Sequence, residues 1–280
     1  MEPITSRRNP IVARFRRVAQ SAASVGSLLL EGPRLIDEAL AAAVPIEVVA
    51  VSTDAAALRR STALIARLAT AGTQIVRVSP PVMQALSPVA TPSGLVALAT
   101  LRPARLDAAT TSAQPLVIGL IGVQDPGNTG AVIRAVEAGG ATGVVTVGGA
   151  DPYGWKALRG SMGSAFRLPV IRTSDADEVR AEALARGLRV LAAIPRDGTP
   201  LADVDLRAPC LVWLGGEGAG LAPGVLDVAE EVISIPMRAP VESLNIAVSA
   251  ALIVYEASRQ RAVVATVATD TARRGRRRPA

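Results

Sequence analysis

The chain has 280 residues, half of them apolar, with a single cysteine and no histidine. That allows a buried core in one or two domains and excludes a disulfide framework, a Cys/His zinc site and histidine acid–base chemistry. The net charge of +6 sits at the two ends. Arg7, Arg8, Arg14, Arg16 and Arg17 against Glu2 give +4, and Arg273, Arg274, Arg276, Arg277 and Arg278 against Asp270 give +4, so the middle carries 6 − 8 = −2.

Arg-rich ends suit a polyanion such as nucleic acid, although a solubilising tail accounts equally for the C-terminal run. Aromatics are only 2%, so Ala, Val, Leu and Ile must build the core. Nothing resembles a signal peptide, and no apolar run approaches the length a bilayer requires. The expectation is a soluble, cytoplasmic protein.

In chain order, residues 3–20 read as a basic helix following Asn9-Pro10. A short strand over 28–30 leads through Glu31-Gly32-Pro33 into a helix to Ala42. A strand over 46–51 precedes a helix over 54–71, which has Leu58, Leu64, Ile65 and Leu68 on one face. Then come a strand over 74–78, a short helix over 81–86, a turn at Thr91-Pro92-Ser93-Gly94 and a strand over 95–101. Strands alternating with helices indicate an α/β fold. Residues 102–115, with two prolines and few large apolar side chains, read as a linker. The expected domain boundary lies near 108, giving 1–108, 109–268 and a basic disordered tail, 269–280.

The second half opens with a strand over 116–122 that runs into Asp125-Pro126-Gly127-Asn128-Thr129-Gly130, a turn-former cluster. A helix is expected from Ala131, capped by Asn128, with Arg134 on its first turn. A cation gains nothing from a helix N-terminus, so Arg134 is either a solvated surface residue or is held for an anionic partner. Lys156, Arg159, Ser161 and Ser164 then crowd a glycine-containing segment that reads as a phosphate site or a packed turn. A strand over 188–194 ends at Pro195. Another over 211–214 empties into Gly215-Gly216-Glu217-Gly218-Ala219-Gly220, where the backbone can approach a ligand closely. A short helix from Pro223, a strand over 232–236, a polar loop over 237–245 and an apolar helix from Ile246 close the pattern. Ser243 and Asn245 stand where an N-cap belongs. Loops at the carboxyl ends of parallel strands are where such sheets bind ligands. Cys210, before a buried strand, reads as a core thiol.

Four pieces occur in order: Asp125-Pro-Gly-Asn-Thr-Gly with Arg134; Arg159-Gly-Ser-Met-Gly-Ser164; Gly215-Gly-Glu-Gly-Ala-Gly220; and Ile235-Pro-Met with Glu242-Ser-Leu-Asn-Ile-Ala-Val-Ser249. Together they resemble the SpoU-type (TrmH-like) RNA 2′-O-ribose methyltransferases of the SPOUT superfamily, over roughly 116–262. The first part, with Ser6-Arg-Arg-Asn-Pro10 and Leu30-Glu-Gly-Pro-Arg34, resembles the ribosomal-protein-like RNA-binding domain often fused before such enzymes.

The resemblance implies an α/β fold with a C-terminal trefoil knot and S-adenosylmethionine as cofactor. The cofactor residues it implies are Ala193, Pro195, Leu214, Gly215, Gly216, Gly218, Gly220, Ile235, Met237, Ser243, Leu244, Asn245 and Ala247. It implies catalytic roles for Arg134, Asn128, Glu217, Ser243 and Asn245, with no metal. RNA contacts are expected at Arg7, Arg8, Arg14, Arg34, Lys156 and Arg159. It further implies a homodimer through the last helix, where Ile246, Ala250, Ile253 and Val254 would be apolar for packing and for the interface. The expected substrate is RNA, ribosomal (23S type) rather than transfer RNA. Alternatives are a tRNA-directed enzyme of the same family, a non-catalytic RNA-binding assembly factor, and a nucleotide-dependent oxidoreductase using the glycine loop. Leu221, standing where G-x-G-x-x-G needs its last glycine, weighs against the last of these.

Overall fold

The computed structural model describes residues 2–20 and 26–275, with the side chains of 55–57, 60 and 263–275 left outside the description. It divides into two compact units. One comprises Met1–Ala104, Asp125–Arg134 and Ala150–Leu168; the other comprises Arg105–Gln124, Ala135–Gly149 and Pro169–Ala280. The cut falls between Ala104 and Arg105, and two later segments group with the first unit.

The first unit is built on a four-stranded sheet of β1 (Ser27–Glu31), β2 (Ile46–Ser52), β3 (Gln74–Val78) and β4 (Leu95–Thr100), in the order β1-β4-β2-β3. β4 runs antiparallel to both its neighbours, and β2 pairs β3 in parallel. Alternate residues serve the two faces, as the period of a strand dictates. Leu29, Val48, Ala50, Val76, Val96 and Leu98 pack against Val12 and Phe15 of α1 (Pro10–Gln20) and against Val82, Met83 and Leu86 of α4 (Pro80–Leu86). Their neighbours Leu28, Leu30, Val49, Val51 and Leu95 are also buried. Helices α2 (Pro33–Ala41) and α3 (Ala55–Thr70) pack on the strands as well.

The second unit holds seven strands, all parallel: β5 (Leu116–Ile121), β6 (Gly143–Val147), β7 (Val170–Thr173), β8 (Arg189–Ile194), β9 (Thr199–Pro200), β10 (Cys210–Gly215) and β11 (Glu231–Ser234). Their order is β7-β6-β5-β10-β8-β11-β9. Near-continuous apolar runs such as Leu116–Ile121 are what a parallel sheet covered on both faces demands. Gly119 lies opposite Trp213, which is 1% exposed; a Cβ at Gly119 would come within 2.1 Å of the indole ring. This one missing side chain makes room for the largest side chain in the core.

The linker expectation for 102–115 needs correction. Residues 106–109 form α5 (Leu106–Ala109), and Leu106 and Ala109 are buried, with Ala109 seated over Gly143 of β6. The Ala109 methyl covers a strand glycine there and Leu106 is buried beside it in sequence, so the stretch belongs to the core. The segment read as a phosphate site or a packed turn is helical, as α7 (Trp155–Ser161) and α8 (Ser164–Arg167), separated by Met162 and Gly163 at positive φ. Helix α9 (Ala176–Ala185) is capped by Asp175, which accepts from the backbone N–H of Asp177 and Glu178. The short α10 (Pro223–Leu226) follows β10, and α11 (Ile246–Gly275) closes the described chain. The tail expected over 269–280 falls on residues whose side chains lie outside the description. The backbone of α11 is continuous to Gly275, and 276–280 lie outside the description altogether.

Candidate functional site

Strands β10, β8 and β11 are neighbours, and their carboxyl ends open into a cavity of about 590 Å³. That is the size and place at which parallel α/β sheets take small ligands. Ala193, Ile194 and Pro195 come from the end of β8, Leu214 to Leu221 from β10 and its glycine loop, and Ile233 to Ile235 from β11. Met237, Glu242, Ser243 and Leu244 come from the following loop, and Ile246 and Ser249 from the first turn of α11.

The glycine loop is closed on itself. Gly216 N–H donates to the Ile121 carbonyl at 2.8 Å, and Gly220 N–H donates to the Gly216 carbonyl at 3.1 Å. A Cβ on Gly215 would lie 2.2 Å from the carbonyl carbon of Gly220, and Gly218 and Gly220 have φ of 87° and 62°. Only glycine satisfies both the contact and the dihedrals. On the opposite rim, Arg196 donates to the Val241 carbonyl at 3.1 Å, and the Ser234 hydroxyl donates to the Gly198 carbonyl at 2.9 Å. These bonds tie the loop after β8 to β11 and to the loop that carries Glu242 and Ser243.

The wall is mixed in character. Leu214, Ile235, Met237, Leu244 and Ile246 supply apolar surface, while the glycine backbone, Ser243 and Ser249 supply polar groups. Glu217 and Glu242 are its charged members, and among the described residues no lysine or arginine lines it. Such a wall fits an extended, partly apolar ligand that carries positive charge.

Of the residues expected to hold the cofactor, Ala193, Pro195, Leu214, Gly215, Gly216, Gly218, Gly220, Ile235, Met237, Ser243 and Leu244 line the cavity. Asn245 and Ala247 do not. The Asn245 side-chain oxygen accepts from the Ala247 N–H at 2.9 Å, so Asn245 caps α11. Leu221, Ile233, Ser234, Glu242 and Ser249 line the cavity and were missed. The signals were present: Ser234 flanks the strand-end pair Ile233 and Ile235, and Ile246 and Ser249 share a helix face at i, i+3.

The first motif also needs correction. Helix α6 (Pro126–Ala138) begins at Pro126, not Ala131. The Asp125 carboxylate accepts from the Asn128 N–H at 2.7 Å, and the Asp125 carbonyl accepts from the Thr129 N–H at 3.0 Å. Asp125 is therefore the cap and Pro126 takes the first helical position, where its missing N–H costs nothing. Asn128 lies inside the helix and Arg134 more than two turns in. Arg134 is exposed, and among the described residues nothing forms an ion pair or hydrogen bond with its guanidinium. Cys210 is 1% exposed and burial pushes its thiol up to about 11, which removes it as a nucleophile.

Of the residues expected to meet RNA, Arg7, Arg8, Arg14, Arg34, Lys156 and Arg159 are all exposed and all belong to the first unit. Arg14 is paired with Glu47.

Fold and cavity define a class: a parallel α/β protein with a ligand-sized cavity at its strand ends. The model of the SpoU rRNA Methylase family matches residues 115–255, and that of the MRM3-like substrate binding domain matches 23–97. The 23S rRNA (guanosine(2553)-2′-O)-methyltransferase RlmP of Bacillus subtilis is 30% identical over 261 residues, covering 91% of this chain and 98% of that protein. An uncharacterized tRNA/rRNA methyltransferase of Synechocystis is 32% identical over 269 residues, covering 94% and 96%. The AdoMet-bound rRNA methyltransferase from Sinorhizobium meliloti superposes with a TM-score of 0.80 at 27% identity, over 92% of this chain and 97% of that one. The chain belongs to the SpoU rRNA methylase family and is an RNA methyltransferase.

Proposed function

We propose that the cavity at the ends of β8, β10 and β11 binds S-adenosylmethionine and that the protein methylates a ribose 2′-oxygen, in ribosomal RNA ahead of transfer RNA. The observation that carries this reading is the cavity wall itself: a closed glycine loop, an apolar lining, and two carboxylates with no basic side chain. A carboxylate-lined wall suits a ligand whose reactive centre is a cation. The ribosomal preference draws on RlmP, named as a 23S rRNA enzyme, and on the substrate-binding match at 23–97.

S-adenosylmethionine, when bound, supplies a methyl group already activated on its sulfonium. The chain's own work is then to position the ribose and to stabilise the oxygen as its proton leaves. Positioning alone is worth roughly 7–11 kcal/mol in favourable cases. Arg134 clamps a substrate phosphate and stabilises developing negative charge on the oxygen. It is not a literal base, because a guanidinium stays protonated in proteins. Glu217 and Ser243 orient the ribose or the clamp. Asn128, six residues earlier on the same helix, is the second polar group assigned to this motif, and Asn245 acts by fixing the start of α11.

The strand order supports a trefoil knot: β10 is inserted between β5 and β8, both earlier in the chain, and β11 follows on the far side of β8. The molecule acts as a homodimer through α11 and works in the cytoplasm, where ribosomal RNA is available. Among the described residues no helix is long and apolar enough to cross a membrane. Calorimetry tests the cofactor, with S-adenosylmethionine and its demethylated product binding and NAD not binding. NAD binding without an S-adenosylmethionine signal would sink the reading.

A further inference from the structure

Helices α1, α4 and α7 share one flank of the four-stranded sheet. Val12 and Phe15 of α1 and Val82, Met83 and Leu86 of α4 form one buried cluster, and Trp155, the first residue of α7, packs partly buried against it. Between them these helices span 11 + 7 + 7 = 25 residues without a single Asp or Glu. They carry Arg14, Arg16, Arg17, Lys156 and Arg159, and Arg7 and Arg8 stand just ahead of α1. On α2, by contrast, Asp37 and Glu38 pair with Arg67 and Arg167.

Several of these cations are held in place. Arg7 donates through Nε to the Pro81 carbonyl at 3.3 Å, and Arg16 through Nε to the Ala85 carbonyl at 3.0 Å. Pro81 and Ala85 are one turn apart on α4, about 6 Å along its axis, comparable to the span of one nucleotide. Nε is spent in each case, and among the described residues the terminal amino groups of both guanidiniums have no partner. Those groups form the fork that grips phosphate. The Lys156 ammonium is fixed 5.5 Å over the Trp155 ring.

We propose that the α1–α4–α7 flank is one phosphate-binding track for the RNA backbone, with Arg7 and Arg16 gripping successive phosphates and Lys156 extending the track toward the Arg159–Ser164 segment. This rests on the reading of the protein as an RNA methyltransferase and adds where the RNA lies. It replaces part of the expectation from sequence. Arg14 is engaged by Glu47 and Arg34 stands on α2, whereas Arg16 joins the track. Helix α1 precedes the substrate-binding match, which begins at residue 23.

The test compares three full-length proteins: wild type, Arg7→Gln/Arg16→Gln/Lys156→Gln, and the control Arg34→Gln/Arg59→Gln/Arg67→Gln on α2 and α3. Affinity for a 23S rRNA fragment is measured over a salt series, with circular-dichroism thermal melts on the same samples to certify that the first unit is folded. Each lost phosphate contact removes about 0.7 from the slope of log affinity against log salt. The track variant is expected to lose about 2 from that slope while the control keeps the wild-type value. Because Arg16 also satisfies a helix-end carbonyl, Arg8→Gln/Lys156→Gln, which breaks no side-chain hydrogen bond among the described residues, serves as the second variant and is expected to lose about 1.4. An unchanged slope in both track variants, or an equal loss in the control, overturns the track while leaving the methyltransferase reading intact. A wild-type protein that methylates no RNA overturns that reading instead.

Discussion

At the scale of single residues, the roles proposed for Arg134 and for the glycines of the loop after β10 are separable by experiment. Arg134 is exposed and makes no hydrogen bond or ion pair among the described residues, so truncation costs the fold almost nothing, under about 0.5 kcal/mol. If it stabilises charge that exists only in the transition state, Arg134→Ala should lower single-turnover methylation by about 10²–10³-fold and leave cofactor binding unchanged. Arg134→Lys should be nearly as impaired, since it keeps the charge and loses the planar fork. Wild-type turnover in Arg134→Ala would remove it from the mechanism. Gly215→Ala should behave in the opposite way. Its methyl would sit 2.2 Å from backbone, which cannot step aside as a flexible side chain can, so cofactor affinity should fall with the loop. Gly224→Ala is the control: no atom lies within 4 Å of its added methyl, and calorimetry should return the wild-type affinity.

At the scale of elements, the loops that line the cavity were legible because each combines residue types that only a special backbone or a ligand explains. What was not legible depended on choices that local composition leaves open. Asp125-Pro-Gly-Asn is a turn by composition, and the same residue types make a helix N-terminus; the Asp125 carboxylate decides between them. Helices α5 and α7 were missed because what holds them is distant in sequence, Gly143 for one and β1 for the other. Another long-range device is Arg261 on α11. It donates to the carbonyls of Leu206 at 3.0 Å, Gln114 at 2.7 Å and Ala208 at 3.1 Å, stapling the helix to the segments that enter β5 and β10. Hydrogen bonds from a charged donor are worth about 1.5–3 kcal/mol each, and they do not add in full. Arg261→Ala should therefore destabilise the second unit by about 2–3 kcal/mol. Urea unfolding followed by Trp213 in a Trp155→Phe background would measure this. A loss under about 0.5 kcal/mol would show the staple to be ornamental.

At the scale of the whole molecule, α11 has two apolar sides. The inner one, Ile246, Ala250, Ile253, Val254 and Ala257, is buried within the chain's own core. The residues first expected at a dimer interface are thus already spent on packing. The outer one carries Val248, Leu252 and Tyr255 at 47%, 42% and 56% exposure, spaced i, i+4, i+7 along one stripe. An exposed apolar stripe of this kind marks an interaction surface, and a two-fold pairing of like stripes is the commonest way to cover one. The same helix contributes Ile246 and Ser249 to the cavity wall, so whatever steadies α11 also steadies the cofactor site. Sedimentation should show wild type at twice the 28.7 kDa chain mass. Leu252→Glu should bring it to the monomer mass, because two carboxylates facing each other across a two-fold axis repel while the apolar contact is lost. Leu252 is exposed within the chain, so the folded monomer should survive, with weaker cofactor binding. Wild type sedimenting as a monomer, or Leu252→Glu remaining a dimer, would take the interface away from this stripe.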